Sequence, residues 1–265
     1  MKIAENINIE IDSRNKVLWL FKGNNYQLHY SFEIINDFYN ALNQISDLIK
    51  DNEIKTVIIK SANEKVWSMG GDLELFIKCS KNKDINMLKK YAYNCIRCIH
   101  ALSNNFNSDA TIISFIQGNA FGGGFECALA SDYIISENHV KFSFPESLFG
   151  TFPGMGAYSF LTRKIGYKNA EEIIHSTTKW SAKEMIHLNI IDWIIDPNSN
   201  EDLFNLIQEK FPPKDKLSKI CNTPTLNELT NIVDEWLEMI MELDGKQINF
   251  IEKIISSQKN LASNL

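Results

Sequence analysis

The sequence predicts an α/β core followed by an α-helical C-terminal region. Short apolar runs and two-residue alternation, which are typical of strands, alternate with helical periodicity up to about residue 156, whereas only helical periodicity follows Glu201. We therefore expect a core over residues 1–197 and a helical region over residues 198–265, rather than two equal domains. The chain has 44% hydrophobic and 23% charged residues, a composition that excludes a disordered protein.

The first strands and the first helix follow from their hydrophobic periods. Ile7–Asp12 alternates apolar and polar residues, and Val17–Phe21 is a short apolar run, so the two segments predict a β-hairpin. Apolar residues recur at helical spacing from Phe32 to Ile49, which predicts an amphipathic helix. Thr56–Lys60 predicts a buried strand that leads through a polar turn into a glycine turn.

The middle of the chain continues the alternation of strands and helices. A helix is predicted over Met87–Leu102 and a strand over Thr111–Phe115. A glycine-rich turn then opens a helix over Phe125–Ala130. Two short strands follow, Tyr133–Ser136 and Val140–Ser143.

Helices dominate after Gly156. Ser181-Ala-Lys-Glu184 has the form of a capping box, because a serine cap is followed by glutamate at the third helical position. Asp192–Ile195 predicts a short last strand. Pro212-Pro213 is expected to interrupt the C-terminal helical periodicity once.

Charge and cysteine usage exclude several classes of protein. Lysine and arginine number 27 against 33 acids, and the net charge of −6 argues against a general binder of nucleic acid or of anionic membranes. The N-terminal residues lack the apolar stretch of a signal peptide, so we expect a cytoplasmic protein. The five histidines are scattered along the sequence and predict no metal site. Cys95 and Cys98 have redox spacing but lie in a helical stretch, which predicts ordinary buried thiols.

Two glycine turns are the strongest motifs. In Gly118–Gly124, three consecutive glycines follow a strand and precede a helix, so the backbone can approach a ligand closely. Phosphate-loop and dinucleotide patterns fail here, because the residues after the glycines do not match either one. Trp67–Asp72 is the second turn. Two such turns can each present an N–H group to one oxygen atom, as an oxyanion hole requires, although the alternative is two tight strand–helix connections.

Phe144-Pro145-Glu146 places a carboxyl group after a predicted strand and beside aromatic residues. From these residues alone, Glu146 is either a surface residue at a strand end or an acid whose pKa is raised by apolar surroundings.

Taken in order, these motifs resemble the crotonase (enoyl-CoA hydratase/isomerase) superfamily. The resemblance extends from about Ile7 to Ile195 and consists of a glycine turn ending in Gly-Asp, a strand, Gly-Gly-Gly-x-Glu, Ser131-Asp132, Pro145-Glu146 and Pro153-Gly154. It implies a spiral core of repeated β-β-α units. It also implies a trimer or hexamer and a substrate carried as a thioester of coenzyme A or acyl carrier protein, with no metal or redox cofactor.

Carried over residue by residue, the resemblance implies that the backbone N–H groups of Gly71 and Gly123 bind the thioester carbonyl oxygen. Glu126 and Glu146 are implied to be the catalytic pair. Within the superfamily, Met69–Phe76 and Phe152–Phe160 are similar to the diffusible-signal-factor synthases, which make cis-2-enoic signal fatty acids. The substrate-binding residues expected on this resemblance are Met69, Gly70, Phe152, Met155, Tyr158 and Trp236. For Trp236, a plain core position is the alternative.

The function implied by this resemblance is a cofactor-independent hydro-lyase that dehydrates a 3-hydroxyacyl thioester and releases a cis-2-enoic acid. An ordinary enoyl-CoA hydratase of fatty-acid degradation is the alternative enzyme. A non-catalytic binding or scaffold protein on the same fold is a third hypothesis, which the presence of both glutamates disfavours. The C-terminal region has more apolar residues than one helix layer needs to bury, which predicts a subunit contact through Leu203, Leu206, Ile207, Ile240 and Met241.

Overall fold

The computed structural model describes residues 1–22, 28–197 and 203–263. In these ranges the strands are β1 (Lys2–Ala4), β2 (Ile7–Asp12), β3 (Val17–Lys22), β4 (Thr56–Ser61), β5 (Val66–Ser68), β6 (Thr111–Ile116), β7 (Asn119–Phe121), β8 (Tyr133–Glu137), β9 (Lys141–Ser143), β10 (Trp180–Ser181) and β11 (Trp193–Ile195). The helices are α1 (Phe32–Asp51), α2 (Leu73–Asn82), α3 (Ile85–Ser103), α4 (Gly123–Leu129), α5 (Ala157–Ile165), α6 (Tyr167–His175), α7 (Ala182–His187), α8 (Leu203–Lys210), α9 (Lys216–Asn222), α10 (Leu226–Met241) and α11 (Gly245–Ser263). The predicted α/β core with a helical C-terminal region is confirmed.

The described strands form two sheets. The larger has the order β1-β2-β3-β4-β6-β8-β11, in which β1, β2 and β3 are antiparallel and the following pairs are parallel. The smaller has the order β10-β9-β7-β5, with β5, β7 and β9 parallel. Three successive strand pairs, β4–β5, β6–β7 and β8–β9, each send their first strand to the larger sheet and their second to the smaller. This alternation is the predicted spiral of β-β-α units.

The N-terminal hairpin and the first helix match their predictions. β2 pairs with β3 in register from Ile7 opposite Lys22 to Asp12 opposite Val17. α1 begins after Ser31, whose side chain accepts a hydrogen bond from the N–H group of Ile34. The capping box of α7 is also present, with Ser181 and Glu184 exchanging hydrogen bonds.

Besides β1, three short strands were absent from the sequence prediction. β7 lies inside the segment assigned to a glycine-rich turn, β5 overlaps the start of the second glycine turn, and β10 overlaps the start of the capping box of α7. Each has two or three residues, which is less than the length over which alternation can be recognised. All three belong to the smaller sheet.

The C-terminal helices are interrupted more often than predicted. One interruption falls at Pro212-Pro213, as expected, but others separate α9 from α10 and α10 from α11. Asp244 causes the last one, because its Oδ1 accepts hydrogen bonds from the N–H groups of Lys246 and Gln247, each at 2.8 Å, and so starts α11.

The C-terminal helices pack on the core of their own chain. α10 contacts α2 and α3, and α11 contacts α2. Leu206, Ile207 and Ile240 are buried within the chain, and Leu203 and Met241 are partly buried against the same clusters. These five residues therefore do not supply the exposed subunit contact that the sequence predicted. The division at residues 197 and 198 stays a prediction, because residues 198–202 lie outside the described residues. No helix in the described ranges is both long and apolar enough to cross a membrane.

Candidate active site

The two glycine turns lie side by side because the strands before them are neighbours. β5 and β7 pair in parallel, with Val66 opposite Asn119, and each strand leads directly into a glycine turn. The N atom of Gly71 is 3.6 Å from the position that a Cβ atom on Gly123 would take. Neither the Gly71 nor the Gly123 N–H group has a hydrogen-bond acceptor among the described residues. The turns therefore present two adjacent, unpaired donors, as an oxyanion hole requires.

Glu126 lies on α4, directly behind the second glycine turn, and is 1% exposed. Its Oε1 accepts hydrogen bonds from the N–H groups of Met155 at 2.7 Å and Ala157 at 3.0 Å. Burial raises the pKa of Glu126 to about 7, and these two hydrogen bonds oppose the rise because they stabilise the carboxylate.

Glu146 is carried by a short 3₁₀-helix, Pro145–Phe149. The residue as a whole is half-buried, but its Oε2 is shielded from solvent and has no hydrogen-bond partner among the described residues. Burial, together with the smaller effect of the charge of Glu126, raises the pKa of Glu146 to about 8. The interpretation of Glu146 as a surface residue is therefore wrong. The other interpretation, an acid with a raised pKa, describes its environment.

A single cavity joins the two carboxyl groups and the two glycine turns. Together with the open solvent at its mouth, it encloses about 1070 Å³ of empty space. The predicted site residues that line it are Met69, Gly70, Gly71, Gly123, Glu126, Glu146, Met155 and Trp236. Most of the predicted site is thus brought together by the fold.

Trp236 enters this cavity from α10. Its ring centroid is 4.9 Å from that of Phe76, in an edge-on arrangement, and its side chain lies against Gly154, where a Cβ atom would be 2.5 Å from Trp236 Cγ. Trp236 is 3% exposed. The residue is therefore a core tryptophan and a wall of the cavity at the same time.

Phe152 and Tyr158 do not line the cavity, in contrast to the prediction. Their rings contact each other edge-on, with centroids 5.8 Å apart, and the Tyr158 hydroxyl is 3.1 Å from His175 Nε2. Gly154 packs closely against Trp236 and so forms part of the cavity wall. Tyr158, at the start of α5, faces α6 instead. Phe152 and Tyr158 therefore lie outside the cavity lining.

Sequence reasoning missed the deeper walls of the cavity. Apolar side chains from α1 and α3 line it, together with three cysteines and a polar pair; these residues are Ile34, Ile35, Phe38, Ile99, Leu102, Cys95, Cys98, Cys127, Lys22 and Tyr30. Helical periodicity marks such residues as core-facing, but it cannot distinguish a side chain that meets protein from one that meets a void. Burial raises the pKa of the Cys95 and Cys98 thiols, in agreement with their interpretation as ordinary buried thiols.

The sequence matches a known family over most of its length. The family model described as enoyl-CoA hydratase/isomerase matches residues 29–205. The short-chain-enoyl-CoA hydratase of Clostridium acetobutylicum is 26% identical over 184 residues, which are 66% of this chain and 66% of that protein. The fatty acid oxidation complex subunit alpha of Pseudomonas entomophila is 31% identical over 170 residues, which are 62% of this chain but only 23% of that protein.

Solved structures share the fold at lower identity. Human mitochondrial delta3-delta2-enoyl-CoA isomerase superposes with a TM-score of 0.72 at 18% identity, over 98% of this chain and 96% of that one. Pseudomonas aeruginosa DspI superposes with a TM-score of 0.65 at 17% identity, over 100% of this chain and 85% of that one. Two glycine turns and two carboxyl groups surround one cavity of this fold, and the family model matches more than half of the residues. The chain therefore belongs to the enoyl-CoA hydratase/isomerase family.

Proposed function

We propose that the protein is a hydro-lyase that interconverts 3-hydroxyacyl and 2-enoyl thioesters of coenzyme A or acyl carrier protein. The observation that carries this proposal is the placement of two buried carboxyl groups and two unpaired backbone N–H groups around one cavity. Addition or removal of water beside a thioester needs an acid, a base and donors for an enolate oxygen, and these groups supply all three.

In this mechanism the N–H groups of Gly71 and Gly123 hold the thioester oxygen. Negative charge develops on that oxygen as the enolate forms. One fixed donor of this kind lowers the barrier by about 3 kcal/mol in enzymes where it has been removed. The donors are adjacent before the substrate arrives, so they need no rearrangement during the reaction.

The two glutamates take different roles because their surroundings differ. The hydrogen bonds from Met155 and Ala157 favour the ionised form of Glu126, whereas Glu146 has no such donors on Oε2 and keeps its proton to higher pH. In hydration, Glu126 takes a proton from the water that attacks Cβ, and Glu146 gives its proton to Cα. Dehydration reverses these transfers and starts with Glu126 protonated and Glu146 ionised. Glu146 then takes the proton from Cα, and Glu126 gives its proton to the departing hydroxyl group. The raised pKa values of both acids allow the two forms to interconvert.

For the product, we propose release of a cis-2-enoic acid from a medium-length 3-hydroxyacyl thioester. The apolar walls from α1 and α3, with Met155 and Trp236, support a chain longer than four carbons. Release of the acid adds a hydrolysis step, in which water positioned by one carboxylate attacks the thioester carbonyl carbon and the thiol leaves. The second candidate is an ordinary enoyl-CoA hydratase, which the name of the Clostridium acetobutylicum relative favours.

One comparison of substrates tests these functions. The protein is incubated with 3-hydroxydodecanoyl acyl carrier protein and, separately, with crotonyl-CoA, and products are identified by mass spectrometry after a separation that resolves cis and trans isomers. We expect a free cis-2-enoic acid from the first substrate and slow hydration of the second. Rapid hydration of crotonyl-CoA, with only trans products and no free acid, would leave the ordinary hydratase as the function.

The carboxyl variants Glu126→Gln and Glu146→Gln serve as the matched controls. Each should fold with an unchanged circular dichroism spectrum and lose at least 100-fold in kcat, because a positioned acid or base contributes about 10²–10⁴-fold. If either variant kept its turnover within about threefold of the parent, the role assigned to that residue would be wrong. If the parent protein bound these thioesters but turned over neither of them, the result would favour the scaffold hypothesis.

A further inference from the structure

A lysine is buried beside the cavity without an acidic partner. Lys22 is the last residue of β3 and is 8% exposed. Its Nζ donates a hydrogen bond to the carbonyl oxygen of Trp67 and lies 4.5 Å from the ring centroid of Trp67 and 4.9 Å from that of Tyr30. No carboxylate lies within ion-pair distance of Nζ in the part of the chain that the structure describes.

Tyr30 adds a second weakly paired polar group at the same place. Its hydroxyl is buried against the Cys127 thiol, a weak hydrogen-bond partner, and it has no nitrogen or oxygen partner among the described residues. Lys22, Tyr30 and Cys127 all line the cavity that holds the catalytic pair. The interior of the cavity therefore contains an ammonium group and a phenol, both able to donate hydrogen bonds, in addition to the glycine turns and the two carboxyl groups.

The burial of Lys22 is unfavourable unless an anion joins it. Burial lowers the pKa of Lys22 to about 8, so the group still carries a proton at neutral pH. One carbonyl oxygen and two aromatic rings compensate only part of the lost hydration of an ammonium ion. The five residues that follow, Gly-Asn-Asn-Tyr-Gln, include no acid that could pair with it. A carboxylate in the cavity would receive donors from both Lys22 and Tyr30.

We propose that Lys22 and Tyr30 form a carboxylate-binding site for the far end of the substrate's acyl group. The enzyme then prefers ω-carboxyacyl thioesters, in which a second carboxylate ends the chain, to alkyl thioesters of the same length. This assignment rests on one part of the proposed function, namely that an acyl thioester binds in this cavity. It does not depend on which reaction takes place, because the bound carboxylate is at the opposite end of the acyl group from the thioester.

Saturated acyl-CoA pairs test the site without catalysis, since they carry neither a 3-hydroxyl group nor a double bond. Hexanoyl-CoA is compared with adipoyl-CoA, octanoyl-CoA with suberoyl-CoA, and so on to twelve carbons, by calorimetric titration at pH 7. We expect at least one length at which the ω-carboxyacyl thioester binds tenfold or more tightly. In Lys22→Met this preference should disappear, and in Tyr30→Phe it should fall at least threefold.

Lys65→Met is the matched control, because Lys65 is exposed and lies outside the cavity lining, so the variant removes the same charge and should keep the full preference. Melting curves test whether Lys22→Met is folded. If it is not folded, the carboxylate preference of Tyr30→Phe, which removes only one oxygen atom, is the deciding measurement. Tighter or equal binding of the alkyl member at every length, or a preference that survives in Lys22→Met, would overturn the site. A retained carboxylate preference with no turnover of any 3-hydroxyacyl thioester would instead overturn only the proposed function.

Discussion

Glu126 and Glu146 share a cavity but differ in what donates to them. Glu126 Oε1 accepts two backbone N–H groups, whereas Glu146 Oε2 has no partner among the described residues. Donors stabilise a carboxylate, and the hydrogen bond from its own backbone N–H group opposes the desolvation of Glu146 only in part. The residue type is the same at both positions, so the backbone geometry around residues 155–157 is what distinguishes the proposed base, Glu126, from the proposed acid, Glu146.

The raised pKa of Glu146 predicts an unusual pH dependence of stability. Its ordinary value is 4.5, and burial raises it to about 8 in the folded protein. Between these pH values the unfolded chain releases this proton and the folded chain retains it, so the parent loses stability as pH rises through the window. Glu146→Gln removes this group. Its melting temperature, relative to the parent, should rise from pH 5 to pH 8 and level off above, as measured by thermal unfolding. A difference that is constant over this range would contradict the assignment.

The predictability of the elements depended on their length. The hairpin of β2 and β3, the helices α1 and α3 and the cap of α7 were predicted because each spans enough residues for a period or a cap to be visible. β5, β7 and β10 have only two or three residues each and no such signal. They are nevertheless the elements that bring the two glycine turns together.

The candidate site was predictable to a similar extent. Motif order and resemblance identified both glycine turns and both carboxyl groups. The polar pair of Lys22 and Tyr30 was missed, because Lys22 occupies the inward-facing position of an apolar strand, two residues after Leu20, and a sequence does not show what lies opposite it. Phe152 and Tyr158 were assigned to the substrate because Phe152–Phe160 resembles a segment of the diffusible-signal-factor synthases. Their rings contact each other instead, and Tyr158 also contacts His175.

Gly122 links the geometry of its turn to the position of Glu146. It has φ +51° and ψ −128°, a conformation open to glycine, and a side chain there would overlap Oε1 of Glu146. We expect Gly122→Ala to lose about 1–3 kcal/mol of stability from backbone strain and more than tenfold in kcat, because the carboxyl group must move.

Gly166→Ala is the control for backbone strain alone. Gly166 also has positive φ, +79°, but no atom lies within 4 Å of a Cβ built on it. This variant should lose comparable stability in denaturant titrations and keep the parent's kcat. Equal losses of kcat in the two variants would show that strain, and not displacement of Glu146, limits activity.

At the scale of the whole molecule, the C-terminal helices close the cavity that the core builds. Trp236 of α10 and Ile254 and Gln258 of α11 complete its lining. The glycine turns and both carboxyl groups therefore come from the core, whereas the wall of the cavity is shared between the core and the C-terminal helices.

Trp236→Ala should lengthen the preferred acyl chain. The change removes a buried indole and should reduce stability by about 3–5 kcal/mol while enlarging the cavity. We expect kcat/KM for long 3-hydroxyacyl thioesters to rise relative to short ones, measured over a chain-length series. Val233→Ala, a buried α10 position outside the lining, should lose stability with no change in that preference. An unaltered preference in Trp236→Ala would exclude it from the acyl site.

We also expect self-association, as a trimer or hexamer. The exposed apolar residues Leu217 and Ile220 of α9, exposed by 73% and 64%, are better candidates for a contact than the buried residues first considered. Sedimentation at micromolar concentration should give the mass of three or six chains, and the double variant Leu217→Asp/Ile220→Asp should give a smaller one. A parent that sediments only as a monomer would contradict this expectation.

The order of the elements has a consequence for biosynthesis. The glycine turns and both glutamates lie before residue 147, whereas α10 and α11, which cover the cavity, are the last two helices described. A chain growing on the ribosome folds from its N-terminus, so the reacting groups can assemble while the apolar walls of α1 and α3 are still uncovered. During that interval the nascent chain exposes the apolar surface that later lines the cavity, and exposed apolar surface is what chaperones bind.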